Sequence, residues 1–126
     1  MDGDDGIVWY LRGFARDLGS VVVLTLEGRV SSATLPTLSG LLDAQRRPDL
    51  RGMVIDLSGV DYINGAGLGI LAAAAAELQA ADTELVICGL QSIVQTSLDI
   101  AGPIPHLTIE PSADAAVSRL IDRGLT

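Results

Sequence analysis

The sequence is poor in the residues from which metal sites and many catalytic sites are built. Its 126 residues contain one cysteine, Cys88, and one histidine, His106. One cysteine cannot form an internal disulfide, and with one histidine it cannot assemble a structural zinc site. No motif containing a nucleophilic Ser or Cys accompanies His106, and Cys88 lies in an apolar run typical of a core residue. We therefore expect no metal, no cofactor and no enzymatic activity.

Basic residues and long hydrophobic runs are scarce as well. The chain has 8 Lys plus Arg against 16 Asp plus Glu, a formal net charge of −8. Such a field repels phosphate backbones and anionic lipid, which argues against binding to nucleic acid or to a membrane surface. The longest charge-free apolar stretch, residues 66–76, is too short to span a bilayer, and no secretory hydrophobic region opens the sequence. We predict a soluble, cytoplasmic protein without direct membrane insertion.

Aliphatic residues make up most of what is present. Apolar residues account for 48% of the chain and aromatic residues for only 3%, so the core must be built from Val, Ile, Leu and Ala. That apolar content is high enough for burial to outweigh chain entropy. The length corresponds to one domain, and we predict a single domain over residues 1–126.

The hydrophobic pattern alternates between strands and helices. Apolar and β-branched runs predict strands at residues 7–13, 21–27, 53–57, 85–88 and 107–109. Helical spacing predicts four helices. The first follows the possible N-caps Ser31, Ser32 and Thr34 and ends by Arg47, the second runs from about 67 to 80, and the third spans 92–101. The fourth begins after Ser112 and is predicted to bury Ala116, Leu120 and Ile121. A hairpin followed by helical crossovers predicts an α/β sandwich with a mixed, mostly parallel sheet.

The stretch YINGAGLGIL, residues 62–71, joins a strand to an Ala-rich helix. Its glycines superficially suggest a phosphate-binding loop, but the third glycine stands one place too early for a dinucleotide fingerprint and no lysine follows. Nearby Asp56 and Asp61 are best explained as caps for loop N–H groups, and Arg46 and Arg47 as partners of a helix macrodipole. No active site is predicted here.

The predicted helix over 67–80 has two distinct sides. At 100° per residue, one side carries Leu68, Leu71, Ala72, Ala75 and Leu78, and the other carries Ala66, Gly69, Ala73, Glu77 and Ala80. The leucine side is expected to pack on the sheet. The second side has few long side chains, so another backbone could approach it closely; the alternative is packing against a loop of the same domain.

Residues 53–71, MVIDLSGVDYINGAGLGIL, resemble the signature of the STAS domain, the fold of bacterial anti-sigma factor antagonists. In that family a strand ends in D-L-S-x-V, and D-S-[ST]-G-L-G opens a helix. Residues 26–38 are similar to the family's L-x-G-E-L-D-x-x-T-x-x-L. The separation of the two motifs and the order of strands and helices agree over nearly the whole chain, so the resemblance implies a STAS-like fold.

The resemblance also implies a function. Family members bind a partner, typically an anti-sigma factor with a serine-kinase fold, and the kinase inactivates them by phosphorylating the serine after the aspartate. Here the aspartate position is Asn64, the phosphoacceptor position is Gly65, and the next hydroxyl position is Ala66. Glycine has no hydroxyl, and Arg29 and Ser31 replace the family's usual Glu and Asp. The phosphorylation switch is therefore predicted to be absent at Gly65, or moved to a residue such as Ser58.

We interpret the chain as an interaction module similar to the anti-sigma factor antagonists, which would bind an anti-sigma factor or a related serine-kinase-fold protein. The predicted partner-binding residues are Asn64, Gly65, Ala66, Gly67, Gly69 and Ala73. Two alternatives remain open: a STAS-type subunit of a membrane transporter complex, and a sensor that holds a small anion at the helix N-terminus.

Overall fold

The structure, a computed structural model, describes residues 10–122. Along the chain its elements are β1 (Leu11–Asp17), β2 (Val21–Val30), α1 (Leu35–Ala44), β3 (Gly52–Ile63), α2 (Gly65–Ala80), β4 (Glu84–Cys88), α3 (Ser92–Ala101), β5 (Leu107–Glu110) and α4 (Ala113–Asp122). The strands form one sheet in the order β1-β2-β3-β4-β5. The β1–β2 pair is antiparallel and the other three pairs are parallel. The predicted element order and sheet type are confirmed.

The two faces of the sheet are covered unequally. Residues from α1, α2 and α3 share the larger apolar cluster with Met53, Ile55 and Leu57 of β3. The smaller cluster joins α4 to Val54 and to β2 and β4. Because the middle strands are buried on both faces, they read as continuous apolar runs in the sequence.

Strand ends differ from the prediction at β1 and β3. The first strand was predicted at 7–13, of which 7–9 lie outside the described residues, and β1 extends to Asp17. β3 runs to Ile63 although polar residues follow Leu57. It continues because Gly59 to Ile63 stay paired with β2, across two register shifts. Local hydrophobicity could not show this, since the extension is held by strand pairing.

Two predictions about helix termini are wrong. Thr34 occupies the N-cap position of α1 but makes no side-chain cap, because its hydroxyl donates to the Arg29 carbonyl at 2.7 Å and accepts from the Ser31 N–H at 3.0 Å. In α4 the Ser112 Oγ does cap the helix, accepting from the Ala115 N–H at 3.1 Å. Ile121, however, is 49% exposed, whereas Ala116 and Leu120 are buried and Val117 packs against the same cluster.

The arginines after α1 also act differently from the prediction. Arg46 forms an ion pair with Glu77 of α2, and Arg47 pairs with Asp17 at 3.2 Å and Asp49 at 3.0 Å. The helix itself ends earlier, at Ala44, and has no basic residue in its last turn. These side chains therefore link separate elements, and a macrodipole is not needed to explain them.

Candidate partner-binding surface

α2 begins immediately after β3, and Asn64 holds that junction. The Asn64 Oδ1 accepts the Gly67 N–H at 2.8 Å, which caps the helix. Its backbone N–H donates to the Val30 carbonyl at 3.0 Å. The residue at the family's aspartate position is therefore an N-cap, a role that Asn and Asp both perform well. Sequence reasoning assigned Asn64 to the surface and missed the cap, although Asn before a helix is its usual signal.

Gly67 lies on the inner side of the helix. It is buried, and a Cβ at this position would come within 2.4 Å of Val30 Cγ1 and 3.0 Å of Ile63 Cγ1. The absence of a side chain lets α2 pack directly on the end of β2. Gly67 was predicted to bind a partner together with its exposed neighbours, but it is buried in a close helix–strand contact.

The other small residues of this helix start face solvent. Gly65, Ala66, Gly69 and Ala73 are all exposed, and a Cβ on Gly65 or Gly69 would have no neighbour within 4 Å. We call these four residues the small-residue face. On the opposite side Leu68, Leu71 and Leu78 are 7%, 1% and 4% exposed. The predicted orientation of the helix is confirmed; Ala72, predicted inside, is half-buried, and Ala74 is buried in addition.

Beside this face lies an open cleft of about 540 Å³ between the start of α2 and the β2–α1 connection. It is lined by Arg29, Ser31, Ser32, Ala33, Tyr62 and Asn64. Arg29 Nε stands 3.2 Å from Asp61 Oδ1. The Ser31 Oγ is buried without a hydrogen-bond partner among the described residues. Sequence reasoning noted Arg29 and Ser31 as departures from the family motif but did not predict that they share a cleft with Asn64.

The remaining candidates for chemistry have structural roles. Asp56 accepts the Ser58 N–H at 3.0 Å, as predicted for a cap, whereas Asp61, predicted to be a cap as well, forms an ion pair with Arg29. Cys88 is buried, and burial, with the charges of Asp56 and Glu110, raises the pKa of its thiol to about 12. His106 lies in the turn before β5 with φ at 65°. Between residues 10 and 122 no cluster of His, Cys, Asp and Glu could hold a metal ion.

Within the same part of the chain, none of the helices combines the length and apolar character needed to cross a bilayer.

The fold is a small α/β module, in which a mixed five-stranded sheet has three helices on one face and one on the other. The exposed start of α2 lies next to a cleft. Residues 15–116 match the family model of the STAS domain, and the chain belongs to this family. BtrV of Bordetella bronchiseptica, named as an anti-sigma factor antagonist, is 32% identical over 101 residues, covering 80% of this chain and 87% of BtrV.

Solved structures agree with this fold. An anti-sigma factor antagonist from Mycobacterium paratuberculosis superposes with a TM-score of 0.80 at 23% identity, over 90% of this chain and 96% of that one. The murine Solute Carrier 26 family member A9 anion transporter superposes with a TM-score of 0.73 at 15% identity, over 85% of this chain but 18% of the transporter. At these identities the likeness concerns the fold.

Proposed function

We propose that this chain is a non-enzymatic STAS module that binds an anti-sigma factor, or a related serine-kinase-fold protein, through the small-residue face. The observation that carries the proposal is the open space around Gly65 and Gly69 at the start of a capped helix. The similarity to BtrV supports the choice of partner. A protein with this partner acts in the cytoplasm.

The small-residue face suits close contact for a physical reason. Its residues lose little or no side-chain entropy when a partner covers them, and they hold no long side chain that a partner would have to displace. Backbone of a second protein can therefore approach α2 closely. The Asn64 cap and the buried Gly67 fix the helix start, so the face is pre-organised before binding.

The cleft beside the face gives the proposed interface a charge preference. The net charge of the chain is −8, but the cleft contains the guanidinium of Arg29 and the hydroxyls of Ser31 and Ser32. Asp61 offsets part of the Arg29 charge. We expect an acidic side chain of the partner to enter this cleft, since carboxylates pair well with guanidinium and hydroxyl donors.

Phosphorylation at the family position does not control the proposed interaction. Gly65 carries no hydroxyl, and its exposure means that a serine here would be reachable by a kinase. Ser58 is exposed as well, but it precedes Ile63 by five strand residues, roughly 16 Å at the rise of a β-strand. A phosphate on Ser58 would lie away from the small-residue face. Regulation then rests on the amount or state of the partner.

Capture from the native cell with face variants tests the proposal. Gly69→Lys and Ala73→Glu should lose the partner, because an unpaired charge buried at an interface costs several kcal/mol. Gln79→Lys is the control matched to Gly69→Lys. It adds the same positive charge to the same helix, at an exposed site about 15 Å from residue 69. By circular dichroism Ala73→Glu and Gln79→Lys should melt close to the wild type, and Gly69→Lys at or slightly above it, because loss of an exposed helix glycine favours the helix. Unchanged capture by both face variants would place the interface elsewhere.

The identity of the captured protein separates this proposal from the transporter alternative. A serine-kinase-fold regulator supports the proposal, and a transporter subunit contradicts it. Mass spectrometry of the captured band gives the answer directly.

A small-anion sensor is a second candidate, favoured by the buried, unpartnered Ser31 Oγ in the cleft. Helix N-termini and guanidinium groups both attract anions. Titration calorimetry with inorganic phosphate tests it: wild-type binding that is lost in Arg29→Gln favours the sensor, and absence of heat for the wild type excludes phosphate as its ligand.

A further inference from the structure

Among the described residues, no strand pairs with the outer edge of β1. Within the described sheet β1 pairs only with β2. The Arg29 N–H donates to the Tyr10 carbonyl at 2.9 Å, and the Leu18 N–H donates to the Val21 carbonyl at 2.8 Å. These two bonds show which residues of β1 direct their backbone groups toward β2. Even-numbered residues between them therefore bond to β2. Leu11, Gly13 and Ala15 direct their N–H and C=O groups away from the sheet.

The two edges of the sheet are protected differently. β5 has four residues and lies between Pro105 and Pro111, which cannot donate to a further strand. β1 has seven residues and no proline. Natural proteins usually block a long free edge with proline, a bulge or a covering element, and β1 pairs with β2 in regular register without a bulge.

The side chains of β1 form an alternating row on the face opposite α1. Tyr10 and Phe14 are 44% and 53% exposed, and the Arg12 guanidinium lies 5.8 Å and 5.6 Å from their ring centroids. Arg16 continues the sequence aromatic, cation, aromatic, cation. The apolar cluster under α4 contains residues of β2, β3 and β4 but none of β1, so α4 leaves this row uncovered.

We propose that a second copy of this chain pairs with β1, edge to edge and antiparallel, about a twofold axis at Gly13. In this register Arg12 lies opposite Phe14 of the other copy, and Arg16 lies opposite Tyr10. Arg12, which already lies over Tyr10 and Phe14 of its own strand, thus faces a third ring, and Arg16 faces a ring of the other copy, an arrangement that stabilises a pair. An axis at Arg12 would oppose two Arg12 side chains, and an axis at Phe14 would oppose Arg12 and Arg16. Like charges directly opposite are destabilising, and an axis at Leu11 or Ala15 would place only one of the two arginines opposite a ring, so the Gly13 register is the most favourable.

Cysteine pairing tests the register on the full chain. Residues 12 and 14 would form a non-hydrogen-bonded pair, whose Cα spacing of about 4.5 Å suits a disulfide. An equimolar mixture of Arg12→Cys and Phe14→Cys with oxidised glutathione should give a cross-linked dimer on a non-reducing gel, and each variant alone should not. The wild type is the background control, because the buried Cys88 thiol is unreactive. A dimer from either variant alone, or none from the mixture, overturns the proposal.

A second measurement uses the edge itself. Wild-type mass in sedimentation equilibrium should rise toward twice the monomer with concentration. Ala15→Pro removes one outward N–H without touching the β1–β2 bonds, and it should stay monomeric at the same concentrations. Ala15→Val keeps that N–H and should associate like the wild type, while circular dichroism shows that both variants are folded. A wild type that is monomeric throughout, or a dimer that survives Ala15→Pro, contradicts the proposal.

Discussion

The inner and outer faces of α2 both contain small residues, but the surroundings of these residues differ. Each face carries a glycine near the helix start, two residues apart. A Cβ on Gly67 would come within 2.4 Å of Val30 Cγ1, whereas a Cβ on Gly69 would have no neighbour within 4 Å. The small size of one residue is required by packing inside the domain, and the small size of the other is not. The exposed glycine is the one for which an external contact offers an explanation.

The largest expected difference between the two faces is at Leu71. Leu71→Ala removes a side chain that is 1% exposed and should lower the free energy of unfolding by roughly 2–5 kcal/mol. Ala73→Ser, on the small-residue face, should change it by less than about 0.5 kcal/mol. Urea unfolding followed by circular dichroism measures both. Equal shifts would show that the helix is oriented differently.

The two glycines give the next contrast. Gly67→Ala should destabilise by about 1–3 kcal/mol, because its nearest neighbour, Val30, is a β-branched side chain with little rotamer freedom. Gly69→Ala should stabilise by about 0.5–1 kcal/mol through helix propensity alone. Thermal melts of the two variants should therefore move in opposite directions. Movement in the same direction would remove the distinction between the faces.

The helix cap gives a smaller effect. Asn64→Ala leaves the Gly67 N–H without its acceptor and should cost about 0.5–2 kcal/mol. Asn64→Asp keeps an acceptor at the same place and should stay close to the wild type. If both substitutions lower the free energy of unfolding by the same amount in urea titrations, the side-chain amide of Asn64 has a further partner.

The smallest effect on stability is expected at Gly65. Its surroundings are open and its φ is not in the left-handed region, so Gly65→Ser and Gly65→Asp should both fold with near wild-type stability. A negative charge at this position is favourable for the helix dipole. With a cognate serine kinase and ATP, mass spectrometry should find phosphate on Gly65→Ser and none on residues 62–71 of the wild type.

A loss of partner affinity in a folded Gly65→Asp would then report charge and bulk at the contact. Phosphate on Ser58 of the wild type, together with weaker partner capture, would show instead that the switch has moved to that residue.

Periodicity predicted the elements whose apolar residues repeat clearly. The 92–101 helix and the parallel pairing from β2 onward were obtained this way. The end of β3 was missed because Asp56, Ser58 and Asp61 break the apolar run while strand pairing continues. Arg46 was misread because its partner Glu77 is 31 residues away, and such distances in sequence carry no local signal.

The candidate surface was predicted in part for the same reason. Helical geometry separated Gly69 and Ala73 from the leucines, and both are exposed. It could not distinguish Gly67 from Gly69 by function, since that depends on Val30, a residue of another element. The cleft was missed because Arg29 and Tyr62 lie on different strands and meet only through the β2–β3 register.

The connection between β1 and β2 bears on the order in which the chain folds. It is a short turn, with Gly19 at a φ of 88° and the Asp17 carboxylate accepting the Gly19 N–H at 3.0 Å. In each parallel pair, in contrast, a helix lies between the two strands in sequence, so the strands can pair only after this longer connection has been made. Short loops close with little entropy loss and hairpins form within about 1–10 μs, so we expect β1–β2 to be the earliest strand pair. During synthesis this hairpin emerges from the ribosome before the remaining strands, and its outer edge is therefore present from the first stage of folding.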